Sequence, residues 1–66
     1  MKTDFYRIKD GQYVMLFPND NNLLHSFPVK ALYQSGYFYC DMSNPELGPD
    51  YYLGDVSKYC DGYREV

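Results

Sequence analysis

The side chains able to do chemistry are few and scattered. His25 is the only histidine, and Cys40 and Cys60 are the only cysteines. A general base must reach a nucleophile. Ser26 follows His25 directly, but neighbouring side chains of an extended segment point to opposite faces. That pair makes a poor dyad, and His25 reads as a surface or partly packed residue. A cysteine nucleophile would need His25 to meet Cys40 or Cys60 in the fold. Both cysteines sit among aromatic residues, in Tyr37-Phe38-Tyr39-Cys40 and Tyr59-Cys60. Free cysteine is among the most buried residue types, so both read as small core residues. Two cysteines and one histidine fall short of the four ligands of a structural zinc site, so neither metal nor cofactor is expected.

The carboxylates have ordinary explanations too. Asp50 and Asp55 could form an acid–base pair for glycoside hydrolysis, but so short a chain offers little cleft for a sugar. Asp50 follows Pro49 as a turn residue, and Asp55 reads as a helix cap. Asp41, Asn44, Glu46 and Asp50 are oxygen donors close in sequence, yet they lack the central Gly and terminal Glu of a calcium-binding loop. Gly48, Gly54 and Gly62 are isolated, so no phosphate-binding loop is present. No catalytic residue is assigned, and the chain is expected not to be an enzyme.

What remains is tyrosine. Nine Tyr and four Phe stand among 66 residues, with no Trp. A domain this small buries a modest share of its surface, and heavy aromatic residues compensate for that. Its few fully buried positions leave some rings exposed, where tyrosine favours protein contacts. Tyr51, Tyr52, Tyr59 and Tyr63 are interleaved with Asp50, Asp55, Asp61 and Glu65. These eight residues are the candidate protein-binding surface, an aromatic patch rimmed with acid.

The elements that must carry these residues read as follows. Phe5–Lys9 and Gln12–Phe17 are rich in aromatic and β-branched residues and flank Asp10-Gly11, the signature of a type I′ hairpin. The implied core face holds Tyr6, Ile8, Tyr13 and Met15, with Phe5, Arg7, Val14 and Leu16 on the other. Pro18 ends the second strand, and Asn19–Asn22 is a solvated loop. Residues 23–36 read either as a helix capped by Ser26 or as a strand over Val29–Tyr33, with the strand preferred. That strand would turn back through Gln34-Ser35-Gly36 into a strand over Tyr37–Met42. Ser43–Asp50 is a loop, and Tyr51-Tyr52-Leu53 a short strand with one tyrosine facing in and one out. Asp55 starts a short helix through Val56, Tyr59 and Cys60, with Gly62 as its stop. Tyr63–Val66 is an edge strand, or else an extension of that helix. The sum is one domain over residues 1–66: a small α+β fold dominated by antiparallel β. An N-terminal hairpin lies in a sheet of three to five strands or an SH3-like small barrel, with one or two short helices.

Charge narrows the partners. Through residue 40, Lys2, Arg7, Lys9 and Lys30 outnumber Asp4, Asp10 and Asp20 by one. Beyond it, Lys58 and Arg64 face Asp41, Glu46, Asp50, Asp55, Asp61 and Glu65, a balance of −4. That counts against nucleic acid, which needs a basic footprint, and suits a basic protein partner. No apolar run approaches the roughly 20 residues of a membrane span. The N-terminus lacks the apolar stretch of a signal peptide, so a cytoplasmic protein with reduced thiols is expected. The leading expectation is a non-enzymatic protein-binding module, such as a small accessory or inhibitor protein of a phage, prophage or other mobile element. The alternatives are a homo-oligomeric structural protein, or single-stranded nucleic-acid binding by stacking on Tyr37, Phe38 and Tyr39.

Overall fold

Five antiparallel strands form the computed structural model, which describes residues 1–41 and 44–66. They are β1 (Tyr13–Pro18), β2 (Val29–Gln34), β3 (Tyr37–Tyr39), β4 (Tyr51–Tyr52) and β5 (Cys60–Glu65). One short helix, α1 (Val56–Tyr59), precedes β5, and 3-10 turns occupy Phe5–Arg7 and Pro45–Leu47. The strand order is β4-β3-β2-β1-β5. No ladder joins β4 to β5 among the described residues, so the sheet is curled into a half-barrel and stays open. None of the described helices is long and apolar enough to cross a membrane.

Local turn chemistry explains β2 and β3. Ser35 (φ 50°) and Gly36 (φ 89°) both adopt left-handed backbone, which is what a type I′ turn demands. Gln34 then pairs with Tyr37, Tyr33 with Phe38 and Leu32 with Tyr39. The strand reading of Val29–Tyr33 therefore holds, and the hairpin loop has two residues where three were expected. β3 ends at Tyr39, shorter than expected; Met42 and Ser43 lie outside the described residues.

The N-terminal hairpin does not form. At Asp10-Gly11 only the glycine takes positive φ, and a simple turn closes from the Gln12 N–H to the Lys9 carbonyl. Phe5–Arg7 is a 3-10 turn. Its three-residue period brings Phe5 and Ile8 to one side, both buried, and leaves Tyr6 outside. Both edges of β1 are instead taken by distant strands, with Val14 opposite Ala31 of β2 and Leu16 opposite Tyr63 of β5. Of the expected core face only Ile8 is buried, and the core takes Phe5, Val14 and Leu16 from the other face. Val14 and Leu16 are fully buried, whereas Tyr13 is exposed. Asp10 has a different role: its carboxylate accepts the Ser35 N–H at 2.9 Å and braces the β2–β3 turn.

Gly62 is not a helix stop. It lies inside β5, and α1 ends at Tyr59. A side chain there would meet the Lys2 carbonyl oxygen at 2.5 Å, because the N-terminal segment crosses β5 at this point. Lys2 and Tyr63 exchange both backbone hydrogen bonds, each at 2.8 Å. Strand β5 also carries a bulge, with Phe17 opposite Gly62 but Pro18 opposite Cys60. The extra residue, Asp61, shifts the two-residue alternation. Cys60 and Tyr63, an odd number apart, thereby both reach the core.

The inner face is closed by Phe5, Ile8 and Val56, and the Phe5 and Tyr63 rings pack 5.3 Å apart. The Tyr63 hydroxyl reaches the Asp4 carboxylate at 3.0 Å. Burial first, and then Asp4, push its phenol up to about 12 from the ordinary 10.0. A raised phenol contributes stability that is whole below its unfolded value and is lost as pH climbs through the folded one. Urea midpoints should therefore fall between about pH 10 and 12, and Tyr63→Phe should flatten that fall. Equal slopes for both chains would refute the assignment. Gly62→Ala should cost about 1–3 kcal/mol in the same assay, since its methyl group must displace the Lys2 backbone.

Candidate functional site

The loop between β1 and β2 is built by asparagine. Asn19 donates from Nδ2 to the Lys58 carbonyl at 3.0 Å, and its backbone N–H donates to the Tyr59 carbonyl at 2.9 Å. These are carbonyls that the end of α1 leaves without helical partners. Asn19 Oδ1 accepts the Asn21 N–H, closing an Asx turn. Asn22 then does the work of several residues. Its Oδ1 accepts the N–H groups of Leu24 and His25, each at 2.9 Å. Its Nδ2 donates to the Tyr59 carbonyl at 3.0 Å and to the Tyr51 hydroxyl at 2.7 Å. Tyr51 also meets His25 Nδ1 at 2.6 Å.

Held this way, the loop turns its polar atoms inward and its apolar side chains outward. Leu23 is 98% exposed, Phe27 79% and Leu24 65%. Beside them lies an open groove of about 290 Å³, lined by Asn22, Leu23, Leu24, Asp50, Tyr51 and Tyr59. The Tyr51 and Tyr59 rings stand 6.3 Å apart along it.

Beneath the loop, Asp50 is tied to the end of β3. Its N–H donates to the Phe38 carbonyl at 2.8 Å, and its carboxylate accepts the Cys40 N–H at 3.2 Å. Burial, then the Asp50 carboxylate, drive the Cys40 thiol well above its ordinary range. Burial, then Asp61, push the Cys60 thiol up to about 11 from 9.0. Both cysteines are free thiols, and in this setting they hold their protons, the reverse of an activated nucleophile. Burial lifts the Tyr51 phenol to about 12, against the opposing Asn22 hydrogen bond. Ligand atoms of His25, Cys40 and Asp50 lie within 4.8 Å of one another, the one such grouping of His, Cys and carboxylate among the described residues.

The eight residues marked by sequence do not form one patch. Asp50, Tyr51 and Tyr59 come together at the groove. Tyr52 takes the opposite face of β4, exposed and packed on Tyr37 at 5.4 Å, so the in-and-out expectation for the pair holds. Tyr51 itself is buried and contributes an edge and a hydroxyl rather than a free ring. Tyr63 is buried in the core at the N-terminal crossing. Glu65 is on that side too, 3.3 Å from the Lys2 ammonium. Asp55 stands at the α1 N-cap position without a capping bond from its side chain and pairs with Lys58 at 3.3 Å. Asp61 is exposed in the β5 bulge. Sequence reasoning missed Asn22, Leu23, Leu24 and Phe27. The available signal was an apolar Leu-Leu pair placed directly after a run of turn-forming residues.

Asn22→Ala removes the loop's central support and leaves the Tyr51 hydroxyl one partner short. The expected loss is about 1–3 kcal/mol, with hydrogen exchange accelerated first at the Leu24 and His25 amides; unchanged protection there would contradict this account. In comparisons with known proteins no family model, curated protein or solved structure matches the chain.

Proposed function

We propose that this chain is a non-enzymatic protein-binding module, and that its contact surface is the β1–β2 loop with the groove beside it. The observation that carries the reading is the exposure of Leu23, Leu24 and Phe27 on a loop braced by the hydrogen bonds that the Asn19 side chain donates and the Asn22 side chain accepts. Three large apolar side chains standing in water in one ordered loop cost solvation and add nothing to the core. Buried in a partner's pocket, they supply the apolar anchors that dominate protein interfaces. Asp20 precedes the apolar group in sequence, Asp50 borders the groove together with Leu23 and Leu24, and the chain carries net charge −3. The complementary partner is a protein with an apolar cleft rimmed by Lys or Arg, and the consequence of docking is to block or recruit that partner.

A second reading rests on the outer face of the sheet. Tyr13, Leu32 and Tyr39 form one cross-strand row there, with the Tyr37–Tyr52 pair beside it. Lys30 lies 5.0 Å over the Tyr13 ring. This face suits packing against a second copy.

The test is quantitative capture from the source cells with the wild-type chain and with a Leu23→Ser, Leu24→Ser, Phe27→Ser variant. Exposed substitutions of this kind change stability by only about 0.5 kcal/mol each. The variant should stay folded and lose the captured protein, with reconstituted binding that weakens as salt rises. Undiminished capture would refute the loop as the contact. A mass that grows with concentration and reverts in a Tyr37→Ser, Tyr52→Ser variant would favour the second copy.

A further inference from the structure

We propose that His25, Cys40 and Asp50 form a binding site for a divalent ion of the zinc class, seated beneath the β1–β2 loop. The inference does not depend on what the loop itself contacts. Three segments far apart in sequence deliver these side chains to one place: the loop, the end of β3 and the approach to β4. Their ligand atoms lie within 4.8 Å of one another. A tetrahedral ion with bonds of about 2.0–2.3 Å holds its ligand atoms roughly 3.3–3.8 Å apart. On binding, the three side chains draw together to close the difference.

The donor set selects the ion. One sulfur, one imidazole nitrogen and one carboxylate oxygen suit zinc and its neighbours, whereas calcium and magnesium take oxygen throughout. Three protein ligands leave a fourth position for water, and one of them, Asp50, borders the open groove. The supporting shell is already in place. The Cys40 N–H holds one Asp50 oxygen, and the Tyr51 hydroxyl, itself held by Asn22, fixes the His25 ring. Such outer contacts orient ligands and tune their affinity. On binding, the Cys40 S–H bond breaks and a sulfur–metal bond forms. One proton passes to solvent, the ion sheds the waters its new ligands replace, and no electron is transferred.

The site also answers a problem of size. A chain of 66 residues with no disulfide has a thin margin of stability, and a metal crosslink is one of the few staples open to it.

Titration of the reduced, chelator-stripped full chain with cobalt(II) tests the proposal. Absorption should saturate at about one ion per chain, show a thiolate-to-cobalt charge-transfer band, and be displaced by zinc. Cys40→Ser should abolish the band and Cys60→Ser should keep it, while His25→Ala and Asp50→Asn weaken binding roughly ten-fold or more. Circular dichroism of each variant separates loss of the site from loss of the fold. In the unmutated chain, zinc should shield Cys40 from alkylation and leave the reactivity of Cys60 unchanged. No saturable uptake, a band that follows Cys60, or affinity indifferent to both His25 and Asp50 would overturn it.

Discussion

The pairing of the last strand with the first positions nearly everything else in this molecule. β5 runs antiparallel to β1 from Val14 to Pro18, so the chain can complete its sheet only after its C-terminal strand has been placed. That arrangement has a high entropic cost, because the loop between the two strands spans most of the sequence. Its return is concentrated in a few residues. Tyr63 and Cys60 are both fully buried on the core side, and the bulge at Asp61 makes that possible for residues an odd number apart. Tyr63 in turn holds the N-terminal segment through the Lys2 backbone and Asp4. Phe5 and Ile8 can then cap a core that a half-barrel would otherwise leave open.

The same strand sets the site. α1 runs directly into β5, so fixing β5 fixes the end of the helix, and with it the Lys58 and Tyr59 carbonyls. Asn19 and Asn22 satisfy those carbonyls, and the loop that carries Leu23, Leu24 and His25 is thereby attached to the core. The site is a consequence of completing the sheet rather than an appendage to it. Every described buried polar side-chain atom has a hydrogen-bond partner. A cluster of asparagine, tyrosine, histidine, cysteine and aspartate is tolerable at half-burial only under that condition.

How much of this could be read from the chain depended on the range of the controlling interaction. Where the control was local, the reading held. Ser35-Gly36 made a hairpin between Val29–Gln34 and Tyr37–Tyr39, Tyr51 and Tyr52 alternated in and out, and the last residues formed an edge strand. Elsewhere two local signals compete. Asp10-Gly11 has the composition of a type I′ turn, but Phe5 and Ile8 are three apart, the 3-10 interval, and their burial decided the outcome. Where control was long-range, nothing in the sequence exposed it. The Asn22–Tyr51 bond spans 29 residues and the Tyr63–Asp4 bond 59. Asn22 therefore looked like one more loop residue, and Tyr63 like one more surface tyrosine.

The distribution of aromatic residues follows from the same constraint and separates the two surfaces. A sheet covered on one side can fully bury only alternate residues, and Phe38, Tyr51 and Tyr63 occupy such positions along with Val14, Leu16 and Ala31. Their neighbours, Tyr13, Tyr37, Tyr39 and Tyr52, must then line the outer face. There Tyr37 packs on Tyr52 across strands, and Tyr13 and Tyr39 flank Leu32 in one cross-strand row over the hydrogen-bonded ladder. Outward-facing tyrosines are thus an expected by-product of an aromatic half-barrel. Leu23, Leu24 and Phe27 are not. No strand alternation obliges them to be where they are, and serine or asparagine would satisfy the loop equally well. Their apolar character serves no demand of the fold, and that makes the loop, rather than the more numerous tyrosines, the candidate contact surface.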